Sequence, residues 1–171
     1  MTLDSTLRDV RRSADGPGPR WGRQVSLALL LVVVVAGAIG IFGVHSSTVS
    51  ARTNGYLLSV TYARTARAGL DVPFTVRAQH TGGFPSSITL AVSTDYFRVF
   101  ETQGFYPDAD SATNDGRFVY LTFTPPSGDD VVLDFDAYIQ PGAQRGKSAT
   151  VELIVRGSTV ATVRLHTWLV P

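Results

Sequence analysis

Three histidines, His45, His80 and His166, are the only imidazoles this chain offers to acid–base chemistry, and they are far apart in sequence. Nucleophilic hydrolysis needs a nucleophile, a base beside it and a third group that orients the base. No Gly-x-Ser-x-Gly elbow occurs, and there is no cysteine. That removes a thiol nucleophile, a thiolate zinc site, a disulfide framework and a lipid-modified cysteine together. His80 shares the parity of Phe74 and Val76, which reads as a strand-end histidine with its ring hydrogen-bonded. The expectation is a non-enzymatic chain with no catalytic, cofactor-binding or metal-ligating residues.

Acidic residues gather in two places. Asp108, Asp110, Asn114 and Asp115 lie in one stretch, PDADSATNDG. Calcium takes several oxygen ligands from a bent backbone, so the composition permits a site. In an EF-hand loop the ligands alternate and the sixth position is glycine; Thr113 stands there instead. A solvated turn is the expectation for Asp108, Asp110 and Asp115. Asp129 and Asp130 precede Asp134 and Asp136, the latter pair on one strand face. Such a row reads as a charged outer face that discourages sheet-to-sheet aggregation. Trp168 has the parity of Arg164 and His166. Exposed, it would be an anchor for a partner, whereas a bulge would turn it inward. Parity leaves both open.

The elements that position these residues begin with an apolar block. Val25 to Val44 reads VSLALLLVVVVAGAIGIFGV, with no charge and a single hydroxyl, Ser26. As a helix rising ~1.5 Å per residue it covers about 30 Å, the thickness of a bilayer's hydrocarbon core. Strands seldom exceed ~10 residues, so the valine run is read as one transmembrane helix at residues 25–44. Arg8, Arg11, Arg12, Arg20 and Arg23 precede it, while only Arg52 and Arg64 lie in a comparable stretch after it. The excess assigns residues 1–24 to a cytoplasmic tail and the C-terminal part to the extracytoplasmic side of the plasma membrane. A cleaved signal peptide is the rival, with small-residue sites at Ala36-Gly37-Ala38 and Val49-Ser50-Ala51. Its apolar region runs about 7–15 residues, so retention is expected. Gly37, Gly40 and Gly43 recur every third residue, a spacing that lets helices approach and offers a route to a homodimer.

Residues 45–53 are small and polar and read as a stalk. From Tyr56 onward, period-two runs alternate with turn residues. Tyr56, Leu58, Val60 and Tyr62 form one face, as do Phe74, Val76 and Ala78, then Ile88, Leu90 and Val92. Phe118 to Phe123 is apolar enough to be covered on both faces. Leu133, Phe135, Ala137 and Ile139 face inward with Asp134 and Asp136 outward. Val151, Leu153 and Val155 lead through a Gly157-Ser158 turn to Ala161, Val163 and Leu165. Tyr96, Phe97, Val99 and Phe100 have the spacing of one or two helical turns. The pattern predicts an all-β domain at residues 54–171, an antiparallel immunoglobulin-like sandwich of about seven strands.

The stretch Ala68 to Gly83, AGLDVPFTVRAQHTGG, followed by Ile88 to Ser93, resembles the opening strands of bacterial immunoglobulin-like and cell-adhesion-related domains. His80-Thr81-Gly82 stands where those domains carry Asn-Thr-Gly. The layout is similar to that of single-pass membrane proteins of actinobacteria, in keeping with 14 arginines against one lysine. The resemblance implies fold and location, and no functional residues. A formal net charge of +1 sets nucleic acid aside, since that partner selects a dense basic face. Two functions remain: a membrane-anchored, extracytoplasmic binding or accessory module contacting a membrane or envelope protein, or a module binding a carbohydrate or cell-wall polymer. Exposed aromatics along one sheet face would favour the sugar, and a flat apolar patch the protein.

Overall fold

The computed structural model describes residues 17–40, 43–101, 104–143 and 145–170, which divide into two units at residues 42 and 43. Residues 1–16, most of the expected cytoplasmic tail, lie outside the described residues. The first unit holds α1 (Pro17–Ala38), whose first turn carries Pro17 and Pro19 at positions where a backbone N–H would have no intrahelical acceptor. Trp21–Ala38 is long and apolar enough to cross a membrane, and Leu29, Leu30, Leu31 and Val32 are all exposed. The helix therefore starts and stops earlier than the span expected at Val25 to Val44. Gly40 ends it: its φ is +77° and its N–H donates to the Gly37 carbonyl at 3.0 Å, the left-handed stop that glycine adopts without strain. Gly37 lies on the last turn, Gly40 at the stop and Gly43 beyond it, so the three glycines do not line one helix face.

The second unit is mostly β. Among its described residues the elements are β1 (His45–Thr53), β2 (Tyr56–Ala66), β3 (Asp71–Val72), β4 (Phe74–His80) and β5 (Ile88–Ser93); α2 (Thr94–Phe97); then β6 (Phe105–Tyr106), β7 (Ser111–Asn114) and β8 (Phe118–Phe123). β9 (Asp130–Phe135), β10 (Ala137–Tyr138), β11 (Lys147–Val155) and β12 (Ser158–Leu169) complete the chain. Nine strands follow the order β6-β9-β4-β2-β12-β11-β5-β8-β7, β1 pairs with β2, and β3 pairs with β10 in a separate ribbon.

The sheet is mixed and larger than the seven antiparallel strands expected. Its one parallel pair among the described residues, Trp168 opposite Thr65 and Leu169 opposite Ala66, joins two antiparallel blocks. Residues 45–53, read as a stalk, are β1, paired with β2 from Thr53↔Tyr56 to His45↔Thr65. Asn54 and Gly55 make the two-residue turn between them with φ of 50° and 82°, the all-positive geometry that suits a hairpin's twist. The β11–β12 turn is Arg156-Gly157, one residue earlier than expected, again with both φ positive.

Both blocks send alternate side chains into one core, with Leu58, Val60, Phe74, Val76, Leu90, Leu133, Ile139, Val151 and Leu153 almost fully buried. Leu133, Phe135, Ala137 and Ile139 face inward while Asp134 and Asp136 are exposed, the register read from parity. Tyr96, Val99 and Phe100 are buried beside α2 as their spacing suggested. In β8 only Leu121 and Phe123 are buried, so its second face is half-covered rather than packed.

Candidate interaction surface

Side chains that could carry chemistry are mostly engaged with one another. Asp115 accepts from the backbone N–H groups of Arg117 at 2.8 Å and Phe118 at 2.6 Å, and from the Tyr120 hydroxyl at 2.9 Å. Those bonds, the Phe118 N–H first, hold its carboxyl below the usual carboxylate range, and they raise the Tyr120 hydroxyl in turn. Asp110 accepts from Thr124 Oγ1 at 2.8 Å, across the β7–β8 pair rather than toward Asp115. Thus Asp108, Asp110 and Asp115 form no common cage, and no group of three or more His, Asp or Glu able to hold a metal occurs among the described residues.

The acidic row is matched strand by strand. Register sets Asp134 opposite Thr75 and Asp130 opposite Gln79. Thr75 Oγ1 donates to Asp134 at 2.7 Å, and the Arg77 guanidinium forms a salt bridge with Asp130, its Nε 2.8 Å from Oδ1. The hydrogen bond from Arg77 lowers the Asp130 carboxyl, and the same contact raises Arg77. Asp129 accepts from the Gly82 N–H at 3.0 Å, fixing the loop after β4. Arg77 was not singled out in the sequence; its parity opposite the aspartates was the signal.

Each histidine has a local role. His45 Nδ1 is 2.9 Å from the Gly43 carbonyl oxygen. His80 Nδ1 is 2.7 Å from the Gly83 carbonyl oxygen, and its ring stacks on Tyr56 with centroids 4.0 Å apart. His166 faces Ser148 across the β11–β12 ladder, Nδ1 to Oγ 2.8 Å, in a shallow recess of about 390 Å³. This Ser–His pair does not have a triad's arrangement. The serine meets Nδ1, and among the described residues Nε2 has no hydrogen-bond partner and no orienting carboxylate. Trp168 packs edge-on against the His166 ring at 4.4 Å, which accounts for the burial of Nε2.

Trp168 is exposed, at 61% of its surface. No bulge intervenes at the end of β12, so it keeps the outward parity of Arg164 and His166. Beneath it, Thr167 is buried, donating to the Ala63 carbonyl at 2.7 Å and bonded to the Tyr96 hydroxyl at 2.9 Å. Burial raises the pKa of that phenol. A Cβ at Gly146 would lie 1.9 Å from the Thr167 carbonyl oxygen, so the chain can cross here only as glycine. Phe118 and Tyr120, on the outer face of the same sheet, are half-buried, and the Tyr120 hydroxyl is held by Asp115. The other exposed large apolar groups of the domain, Val44, Leu70, Tyr106 and Val132, lie on separate elements.

No protein-family model matches the sequence, and no curated protein matches it. Among solved structures it is similar to the Pseudomonas fluorescens alkylpurine DNA glycosylase AlkC bound to DNA containing an abasic site analogue, at 10% identity. That match covers 74% of this chain and 31% of the other with a TM-score of 0.33, a likeness that carries neither fold nor activity across.

Proposed function

We propose that the chain is a single-pass plasma-membrane protein, N-terminus cytoplasmic, whose extracytoplasmic immunoglobulin-like sandwich serves as a non-enzymatic binding or accessory module for a membrane or envelope protein. As the sequence resemblance implies, it belongs with actinobacterial single-pass proteins carrying such ectodomains. The observation that carries the reading is helix α1, exposed and without charge after Arg23, preceding a β-rich unit in which Asp115, Asp130 and the histidines are engaged in local bonds. The arginines before the span support the orientation. A carbohydrate platform would need several exposed aromatics on one sheet face, and the outer face of β8, β11 and β12 exposes Trp168 alone.

Photo-crosslinking residues placed singly at Val132, Thr89 and Thr162 of the full chain in its native membrane test this. One face should give a discrete protein adduct that competes with added purified domain. Adducts absent from every face, together with retention of the chain on wall polysaccharide, would replace the protein partner by the polymer.

A further inference from the structure

The ladders fix which end of the domain is tied to the span. His45 pairs with Thr65, and Thr65 pairs on its other side with Trp168, so the exposed tryptophan is level with the first residue of β1. Only residues 39–44 separate Ala38 of α1 from His45.

The same end carries exposed cations beside the tryptophan. Arg64 precedes Thr65, and Lys147 lies opposite Thr167, one residue from Trp168. Arg145 follows closely, lining with Arg98, Gln140 and Lys147 a recess of about 390 Å³. Arg64, Arg145 and Lys147 are exposed and make no ion pair among the described residues; Arg98 is paired with Asp95 at 3.1 Å. Glu152, five residues along β11 from Lys147, lies opposite Thr162 and accepts from Thr159, while Asp71 and Glu101 belong to the β3–β10 side, Asp71 opposite Tyr138 and the Glu101 N–H donating to the Tyr138 carbonyl. Asp129 and Asp130 lie at the other end of the ladders, beside the turn at Gly55.

A tryptophan edge flanked by lysine and arginine is the chemistry that settles at a bilayer interface, the indole among headgroups and the cations on phosphates. We infer that this end of the domain is a lipid-docking surface, with Trp168 entering the headgroup layer and Arg64, Arg145 and Lys147 meeting anionic phospholipid. The inference rests on the membrane-anchored reading above. Docking would leave Asp129 and Asp130, at the opposite end of the ladders, in water.

The test uses the full chain carrying Trp21→Phe, which leaves Trp168 as the sole tryptophan, reconstituted in vesicles. Vesicles of phosphatidylcholine containing phosphatidylglycerol are compared with pure phosphatidylcholine. Docking predicts a blue-shifted Trp168 emission, shielded from iodide and quenched by headgroup-level brominated lipid, in the anionic vesicles. Adding Arg145→Gln or Lys147→Gln should lower the docked-to-free ratio roughly fivefold per cation removed. Trp168 equally open to iodide in both vesicles, or equally shielded in both, would overturn the proposal. So would shielding that arises only when native membrane proteins are added, which would make the surface a protein contact. A chain that fails to float with vesicles at all would instead remove the anchored reading itself.

Discussion

Asp134 and Phe135 are neighbours in sequence and opposites in environment, and they separate fold from composition. Phe135 lies among Phe74, Phe97, Phe100 and Phe105 with ring centroids 4.8–5.9 Å away. Phe135→Ala should cost about 3–5 kcal/mol of folding stability, a large share of the roughly 5–15 kcal/mol a domain possesses. Asp134→Ala removes one exposed bond from Thr75 and should cost no more than ~0.5 kcal/mol. Denaturant melts of the two variants check the difference. Asp115 gives a pH prediction. Its folded pKa is depressed, so the stability it contributes is full above the unfolded carboxylate value of about 4 and is lost as pH falls through the folded one. Asp115→Asn should therefore flatten the acid limb of a melting-temperature profile below about pH 4 while leaving the neutral region nearly parallel. At this scale the sequence was legible where parity governs: the inward and outward residues of β4, β9 and β12 follow it. The partners were not, because Arg77 with Asp130, Ser148 with His166 and Tyr96 with Thr167 are distant in sequence, brought together by strand register.

Elements with strong alternation were readable, and those without it were not. β1 carries His45, Ser46, Ser47, Thr48, Ser50 and Arg52 around only Val49 and Ala51, and this polar edge strand has the composition of a linker. Its Asn54-Gly55 turn was nonetheless a strong local hairpin signal. The parallel pairing of β2 with β12 leaves no sequence mark at all, since it depends on how the sheet closes. Two predictions belong here. Gly55→Val forces a β-branched residue into φ of 82° and should cost about 1–2 kcal/mol, with the amides of Val49 and Ala51 losing exchange protection first. Gly146→Ala drives a methyl group into the Thr167 carbonyl and should destabilise the β11–β12 end by about 1–3 kcal/mol, read by thermal melting. A null effect at Gly146 would mean that the loop does not cross β12 so closely.

For the whole molecule, the central claim is that the chain crosses the membrane once and presents its β-rich unit outside. That an apolar helix precedes the β-rich unit was legible because the uncharged run is too long for a strand. Its end was not, because nothing in the run of small residues marked Gly40 as the left-handed stop. Membrane attachment and sidedness are decided by one labelling experiment, and the lack of cysteine makes it clean. Ser158→Cys, exposed beside the Arg156-Gly157 turn, gives a single thiol far along the chain from α1. A membrane-impermeant maleimide should label this variant in intact cells, and the labelled chain should stay in the membrane fraction at its full 18.4 kDa. Labelling only after permeabilisation, or a shortened species released from the membrane, would contradict the account.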